Sequence, residues 1–151
     1  MYSEQNPESV KIKKLADDTV IIIQTEFQRK KISEIKSSAT LGLDSTHCTT
    51  RYGFLLTNLM LIGRSGGIPV AHMISSDEKQ STIDIFLNEI SPQFKSFKHI
   101  TLVTDDYPAY INSWTNCIGK ATHINCFWHI KQNVKLNLRK NKITGIIKII
   151  L

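Results

Sequence analysis

Apolar residues of the chain are concentrated in short stretches from residue 39 onward, a pattern that is typical of strands. Residues 40–45 predict a short buried strand, and residues 51–62 predict a longer one rich in aromatic and aliphatic side chains. Gly66-Gly67 marks a turn, and residues 68–75 predict a third strand. Three strands in succession indicate an antiparallel meander.

The spacing of apolar residues then changes to that of a helix. Ile83, Phe86 and Ile90 recur on one helical face, and Ser75 and Glu78 have the spacing of a capping box in front of it. We expect this helix to end near residue 92, where a proline interrupts it.

Strands and helices alternate in the remainder of the chain. Residues 99–104 predict a strand, Pro108 stands where a helix can begin, and residues 121–125 predict a fifth strand. A closing helix follows, with an apolar side formed by Phe127, Ile130 and Val134.

The predicted order is therefore βββαβαβα, which implies an α/β fold with a mixed sheet and helices packed against it. This is the order of ribonuclease H-like domains, although other mixed α/β folds share these elements.

Composition agrees with an ordinary globular domain. The chain has 151 residues, 41% hydrophobic and 21% charged, which excludes fibrous and wholly disordered classes. No apolar run is long enough to span a bilayer, and the polar start does not resemble a secretory signal. Three cysteines without a regular framework indicate reduced thiols. We therefore expect an intracellular protein without a membrane partner.

The net charge of +6 is distributed unevenly along the chain. Residues 107–151 carry seven lysines and arginines and no aspartate or glutamate, whereas residues 39–106 carry a small negative charge. Such an asymmetry indicates a polyanion partner, of which DNA is the obvious candidate, or else a solvated basic face.

Two aspartates stand at the carboxyl ends of predicted strands. Asp44 follows Leu41 and Leu43, and Asp105 ends the strand over residues 99–104. In the expected fold these strands are parallel neighbours, so both carboxylates would emerge at one edge of the sheet. Such a pair suits a divalent metal and phosphodiester chemistry. The alternative is ordinary turn chemistry, with Asp106 as an N-cap before the next helix.

Residues 19–140 resemble the transposase domain of Mutator-like elements (MULE), a member of the ribonuclease H-like superfamily. The resemblance rests on four short blocks in the family's order and spacing. These are the Asp44-Ser-Thr-His47 block, the Gly67-Ile-Pro69 entry to the third strand, the Thr104-Asp-Asp106 block, and the Cys126-x-x-His129 signature.

The resemblance implies that Asp44 and Asp105 are the first two members of an acidic triad that binds Mg²⁺ or Mn²⁺. The family uses this triad to cut DNA at transposon ends and to join the freed 3′ hydroxyl to a target. Asp106 is the less favoured ligand, and His47, three residues after Asp44, is an auxiliary candidate facing the substrate or else an edge histidine.

The spacing of His123, Cys126 and His129 also suggests zinc, but structural zinc usually takes four ligands and no second pair is visible. We therefore expect local hydrogen bonding or packing at these residues in preference to zinc.

Lys131, Lys135 and Arg139 recur at every fourth position of the predicted closing helix. They form either a stripe that binds DNA phosphates without reading sequence or a solvated face.

The sequence departs from the family in its second half, because no Asp or Glu follows Asp106 and the third acidic residue is missing. Cys48 replaces a residue that is usually glycine, and Gly63-Arg64 stands where an acidic residue often closes the second strand. We therefore expect a C-terminally truncated copy. It divides into a lead-in segment (1–38), an incomplete transposase domain (39–140) and an apolar tail (141–151).

Two functions remain open at this point. The first is a transposase-derived domain, nuclear by resemblance and catalytically defective. The second is a non-catalytic remnant that binds DNA or dimerises, with itself or with a full-length transposase. A ribonuclease on the same fold would share the acidic pair, but the Cys126-x-x-His129 signature argues against it.

Overall fold

A computed structural model describes residues 9–15, 18–35, 37–47 and 51–141. The strands in these ranges are β1 (Val10–Leu15), β2 (Asp18–Ile23), β3 (Ser38–Thr46), β4 (Leu55–Gly63), β5 (Gly66–Ser75), β6 (His99–Thr104) and β7 (Thr122–Asn125). The helices are α1 (Glu26–Ser33), α2 (Gln80–Ile90), a 3₁₀ helix (Ser91–Phe94), α3 (Pro108–Cys117) and α4 (Phe127–Lys140).

All of these strands belong to one mixed sheet in the order β1-β2-β5-β4-β3-β6-β7. The first five strands in that order pair antiparallel with their neighbours. The pairs β3–β6 and β6–β7 are parallel. Parallel neighbours need crossover connections, and α2 and α3 supply them. The protein is therefore an α/β structure with a mixed seven-stranded sheet.

One face of the sheet, called here the core face, carries the hydrophobic core. Leu41, Leu43 and Leu59 point to this face and are fully buried. They share one cluster with Phe86 of α2 and Trp114 of α3. Because each large buried side chain contributes about 1.5–3 kcal/mol relative to its exposed state, this layer provides most of the stability.

The other face, called here the open face, carries the alternate residues of the same strands. Asp44, Asn58 and His72 are direct cross-strand partners on β3, β4 and β5, so their side chains lie on one side of the sheet. They are exposed or half-buried. Polar residues are stable here because this face retains contact with solvent.

From Ser38 to Lys140 the elements follow the predicted succession of three strands, then helix, strand, helix, strand and helix. The strand over residues 99–104 is found as predicted, and β3 and β6 are parallel neighbours as the placement of the two aspartates required. The second strand begins four residues later than predicted, at Leu55. The thiols of Cys117 and Cys126 are free, and Cys48 lies outside the described residues.

The predicted capping box at Ser75 and Glu78 is wrong. The N-cap of α2 is Lys79, and its side chain makes no capping hydrogen bond. Ser75 Oγ donates instead to the carbonyl of Asp77, while Asp77 Oδ1 accepts from Thr82 Oγ1 at 2.6 Å. Asp77 thus ties the turn to α2 through the Thr82 hydroxyl, and no side chain caps the helix.

A capping box does occur at the start of α1, within the segment to which the sequence assigned no chemistry. Thr25 accepts a hydrogen bond from the backbone of Gln28, and the Gln28 side chain accepts one from the backbone of Thr25. The helix follows two antiparallel strands, β1 and β2, that extend the sheet beyond β5.

The closing helix α4 was expected to pack its apolar side on the domain, and this expectation is wrong for the described part of the chain. Phe127 is 77% exposed and Ile130 is 45% exposed, and none of the residues of α4 is buried. None of the helices in the described ranges has the length and apolar character that a membrane span requires.

Candidate metal centre at the sheet edge

Asp44 and Asp105 come together where the parallel strands β3 and β6 approach their carboxyl ends. Asp44 lies near the end of β3, and Asp105 is the first residue after β6. Because the two strands are hydrogen-bonded neighbours, their carboxylates share one edge of the sheet.

His129 joins this pair from the first turn of α4. One ligand atom from each of Asp44, Asp105 and His129 lies within 4.8 Å of the others. In the described part of the chain, these three side chains are the His, Cys, Asp or Glu groups that lie within metal-binding distance of one another. His129 Nε2 is 3.9 Å from Asp44 Oδ1, beyond hydrogen-bonding distance but close enough for a shared ion.

The position of α4 is set by its first residues. The backbone N–H of Cys126 donates to the carbonyl of Thr104 at 2.6 Å, which ties the start of α4 to the end of β6. His129 follows three residues later and therefore faces the site. Its Nδ1 atom is buried without a hydrogen-bond partner among the described residues, so the ring contacts the centre through Nε2.

The environment of Asp44 disfavours its charged form. Burial raises the pKa of Asp44 above its ordinary value, the charge of Asp105 raises it further, and His129 opposes the shift. A carboxylate whose charge is disfavoured by burial and by a like charge gains most from a bound cation. The side chain is still 53% exposed, which leaves the site open to an ion.

Asp105 has a second, local role. Its Oδ1 accepts a hydrogen bond from the backbone N–H of Tyr107 at 3.0 Å, which shapes the turn into α3. The alternative of Asp106 as the N-cap of this helix is wrong, since the N-cap is Tyr107 and no side chain caps the helix. Asp106 itself is exposed and lies outside the cluster.

The remaining candidates lie around the centre. His123 Nε2 is hydrogen-bonded to Thr104 Oγ1 at 2.8 Å, and the exposed His47 is 3.6 Å from the carboxylate of Glu78. His123, Cys126 and His129 do not form a cluster of ligand atoms in the described ranges. The spacing that suggested zinc is therefore not matched by the geometry.

The basic stripe lies farther along α4. Lys131 and Lys135 are half-buried and Arg139 is exposed, and no acidic side chain in the described ranges forms an ion pair with them. Their charges are consequently available to an external anion.

The sequence analysis missed one residue of the site. Asn58 lines a cavity of about 130 Å³ together with Asp44, Asp105 and His129. The sequence contained a signal for it, since Asn58 is a polar residue within the otherwise largely apolar strand β4. The strand register that places it opposite Asp44 could not be deduced from the sequence.

A family model described as the MULE transposase domain matches residues 40–133. The matched segment includes both aspartates and the Cys126-x-x-His129 signature, but not β1, β2 or α1. Among curated proteins, none matches the chain.

Proposed function

Since the chain belongs to the MULE transposase domain family and its function is transposase-derived, we propose that Asp44 and Asp105 form a divalent metal site for DNA phosphodiester chemistry. The observation that carries the proposal is the convergence of these carboxylates with His129 at one sheet edge. The ribonuclease H-like arrangement of strands is part of the proposal.

The donor set fits Mg²⁺ or Mn²⁺. Carboxylate oxygens are the ligands that both ions prefer, and an imidazole is better tolerated by Mn²⁺ than by Mg²⁺. A divalent ion bound there would polarise the scissile phosphodiester and activate the attacking oxygen. Asp44 and Asp105 would hold the ion, and His129 would complete the ligand set from α4.

DNA is the proposed substrate, and nuclear localisation is part of this proposal because chromosomal DNA is found there. Lys131, Lys135 and Arg139 continue from the site along α4 at a spacing that lets them contact successive phosphates. Contacts of this kind position the DNA without reading its sequence.

Catalysis by these 151 residues alone is proposed to be defective. Residues 107–151 contain no aspartate or glutamate, so two carboxylates serve a reaction for which the family employs three. With one negative charge fewer, the metal is held less firmly and the transition state is less well compensated.

Metal binding tests the proposal directly. Isothermal titration of the purified chain with Mn²⁺ is expected to show one binding event that is lost in Asp44→Ala and in Asp105→Ala. Asp106→Ala is the matched control, since it removes an adjacent carboxylate outside the cluster and should bind Mn²⁺ like the wild type. Mn²⁺ binding that survives in both Asp44→Ala and Asp105→Ala would refute the metal site.

The catalytic defect is tested by strand transfer on matched transposon ends with Mn²⁺. No joined product is expected from the 151-residue chain, and clear product would contradict the defect. The second candidate function, a DNA-binding remnant, is favoured by the unpaired cations of α4. It predicts that DNA affinity is the same with and without Mn²⁺.

A further inference from the structure

A row of polar side chains leads from the metal centre across the open face of the sheet. Asn58 is the cross-strand partner of Asp44, and His72 is the cross-strand partner of Asn58. Gln28 of α1 reaches the far side of His72, where the two side chains are 3.0 Å apart. The row thus connects the N-terminus of α1 with the site.

The hydrogen bonds in this row can run in only one direction. The backbone N–H of Thr25 can only donate, and it donates to Gln28 Oε1 at 2.8 Å. The other end of the Gln28 amide is therefore the Nε2 donor. The carbonyl of Pro69, which can only accept, takes a hydrogen bond from Nε2 at 3.2 Å and fixes the same orientation.

The orientation of Gln28 determines the tautomer of His72. Gln28 Nε2 donates to His72 Nε2, so that nitrogen must be the acceptor and the proton must lie on Nδ1. Burial lowers the pKa of His72, which agrees with a neutral ring. His72 Nδ1 then donates to Asn58 Oδ1 at 2.7 Å.

The hydrogen bond from His72 orients the Asn58 amide. With Oδ1 turned toward His72, its Nδ2 group is the end that remains for the cavity shared with Asp44, Asp105 and His129. Among the described residues no acceptor lies within hydrogen-bonding distance of Nδ2. Asn58 therefore brings N–H donors that have no partner among the described residues to the cavity that Asp44, Asp105 and His129 also line.

We propose that Asn58 binds a phosphate oxygen of the DNA strand at the Asp44–Asp105 centre, and that His72 and Gln28 are positioning residues that keep its Nδ2 group turned toward that oxygen. The inference rests on the proposed function, because the phosphodiester is the ligand. A phosphate oxygen is an acceptor, and the Asn58 amide is a neutral donor beside two carboxylates, which can only accept when they are ionised.

The direction of the row is tested without DNA or metal. Imidazole ¹⁵N shifts of His72 in the intact chain at neutral pH are expected to show a neutral ring protonated at Nδ1. A ring protonated at Nε2, or a charged ring, would overturn the proposed orientation of Asn58.

The role of Asn58 is tested by the affinity of a short DNA duplex with and without Mn²⁺. Asn58→Leu keeps the side-chain size but removes the donors, and it should lose about tenfold or more of the Mn²⁺-dependent affinity, as expected for a hydrogen bond to a charged group. Met60→Leu is the matched control, since Met60 lines the same cavity on the same strand and should bind like the wild type.

Variants of Gln28 separate positioning from simple support of the fold. Gln28→Leu removes the donor to His72 and should weaken Mn²⁺-dependent DNA binding by about threefold or more, a smaller loss than at Asn58. With that donor gone, the His72 ring and the Asn58 amide can reverse their hydrogen bond together. The imidazole ¹⁵N shifts of His72 in Gln28→Leu should therefore show a mixture of the two neutral tautomers, a change that mere support of the fold does not predict.

The possible failures are distinguishable. If Mn²⁺ binding does not depend on Asp44 and Asp105, the proposed function and the proposed phosphate contact of Asn58 are both wrong. If that dependence holds but Asn58→Leu binds the duplex as tightly as the wild type, the inference alone is overturned. An unchanged His72 tautomer together with unchanged Mn²⁺-dependent affinity in Gln28→Leu would remove the positioning role and leave Asn58 as an independent contact.

Discussion

The two faces of the sheet are built from the same strands but do different work. On the core face, α2 and α3 cover the strands, and Trp114 and Phe86 are fully buried. On the open face, Asp44, Asn58 and His72 form a polar row. His129 of α4 lines the cavity at one end of this row, and none of the residues of α4 is buried.

The difference shows how stability and chemistry are separated in this domain. Apolar packing on the core face fixes the register of β3 against β4 and β6, and this register in turn places Asp44 beside Asn58 and Asp105. The open face can then tolerate carboxylates whose burial is unfavourable, because the strands that carry them are held from the other side.

The largest expected effect is on the core face. Trp114→Ala removes a fully buried side chain that packs edge-on against Phe94 at 5.6 Å, and it should destabilise the fold by about 3–5 kcal/mol. Urea unfolding measures the change. In α4, by contrast, Phe127→Ala removes a side chain that is 77% exposed and should change the free energy of unfolding by less than about 0.5 kcal/mol.

Trp114→Phe provides the matched comparison, since Trp114 Nε1 is buried without a hydrogen-bond partner among the described residues. Replacing the indole by a phenyl ring removes this unsatisfied group and should cost less than half as much as alanine. Equal destabilisation by Trp114→Ala and Phe127→Ala would contradict the claim that packing on the core face provides most of the stability.

The sequence was sufficient for the strands and helices of the core face. Strand β6 was predicted over its full extent because three apolar residues, Ile100, Leu102 and Val103, lie between a polar start and an aspartate. The parallel pairing of β3 and β6 was expected from the ribonuclease H-like arrangement that the order of elements suggested. The closeness of Asp44 and Asp105 was therefore predictable.

The open face was harder to predict because its contacts depend on register. Nothing in the local sequence relates Gln28 to His72, since they are far apart in the chain and meet through a single side-chain hydrogen bond. The exposure of Phe127 was missed for a similar reason, because helical periodicity shows that α4 has an apolar side but not what covers it.

The next effect concerns the cations of α4, the helix that begins at the metal centre. The double variant Lys131→Ala/Lys135→Ala should lower the affinity for duplex DNA and reduce the slope of log affinity against log salt by about 2, if each lysine contacts one phosphate. Fluorescence anisotropy across a salt series measures both quantities. The melting temperature should be unchanged, because neither lysine forms an ion pair in the described ranges.

Lys95→Ala/Lys98→Ala is the charge-matched control. Both lysines are exposed in the connection between the 3₁₀ helix and β6, away from the aspartates. If the two double variants reduce the salt slope equally, the affinity for DNA depends on net charge alone. Lys131 and Lys135 of α4 are then not a specific DNA-binding surface.

The smallest expected effect is a pH dependence of stability that originates in the polar row. Burial lowers the pKa of His72, so the folded protein keeps this ring neutral at a mildly acidic pH at which the unfolded chain binds a proton. The stability contributed by His72 is present above the unfolded pKa of about 6.5 and falls as the pH drops below it.

His72→Gln, which can still donate to Asn58, removes the titration. The loss of melting temperature between neutral and mildly acidic pH should therefore be about 1–2 °C smaller in His72→Gln than in the wild type. His99→Gln, at an exposed position at the start of β6, is the control and should retain the wild-type difference. A wild-type pH dependence in His72→Gln would mean that His72 is not held neutral by its surroundings, and the open face would then lack the directed hydrogen bonds that distinguish it from the core face.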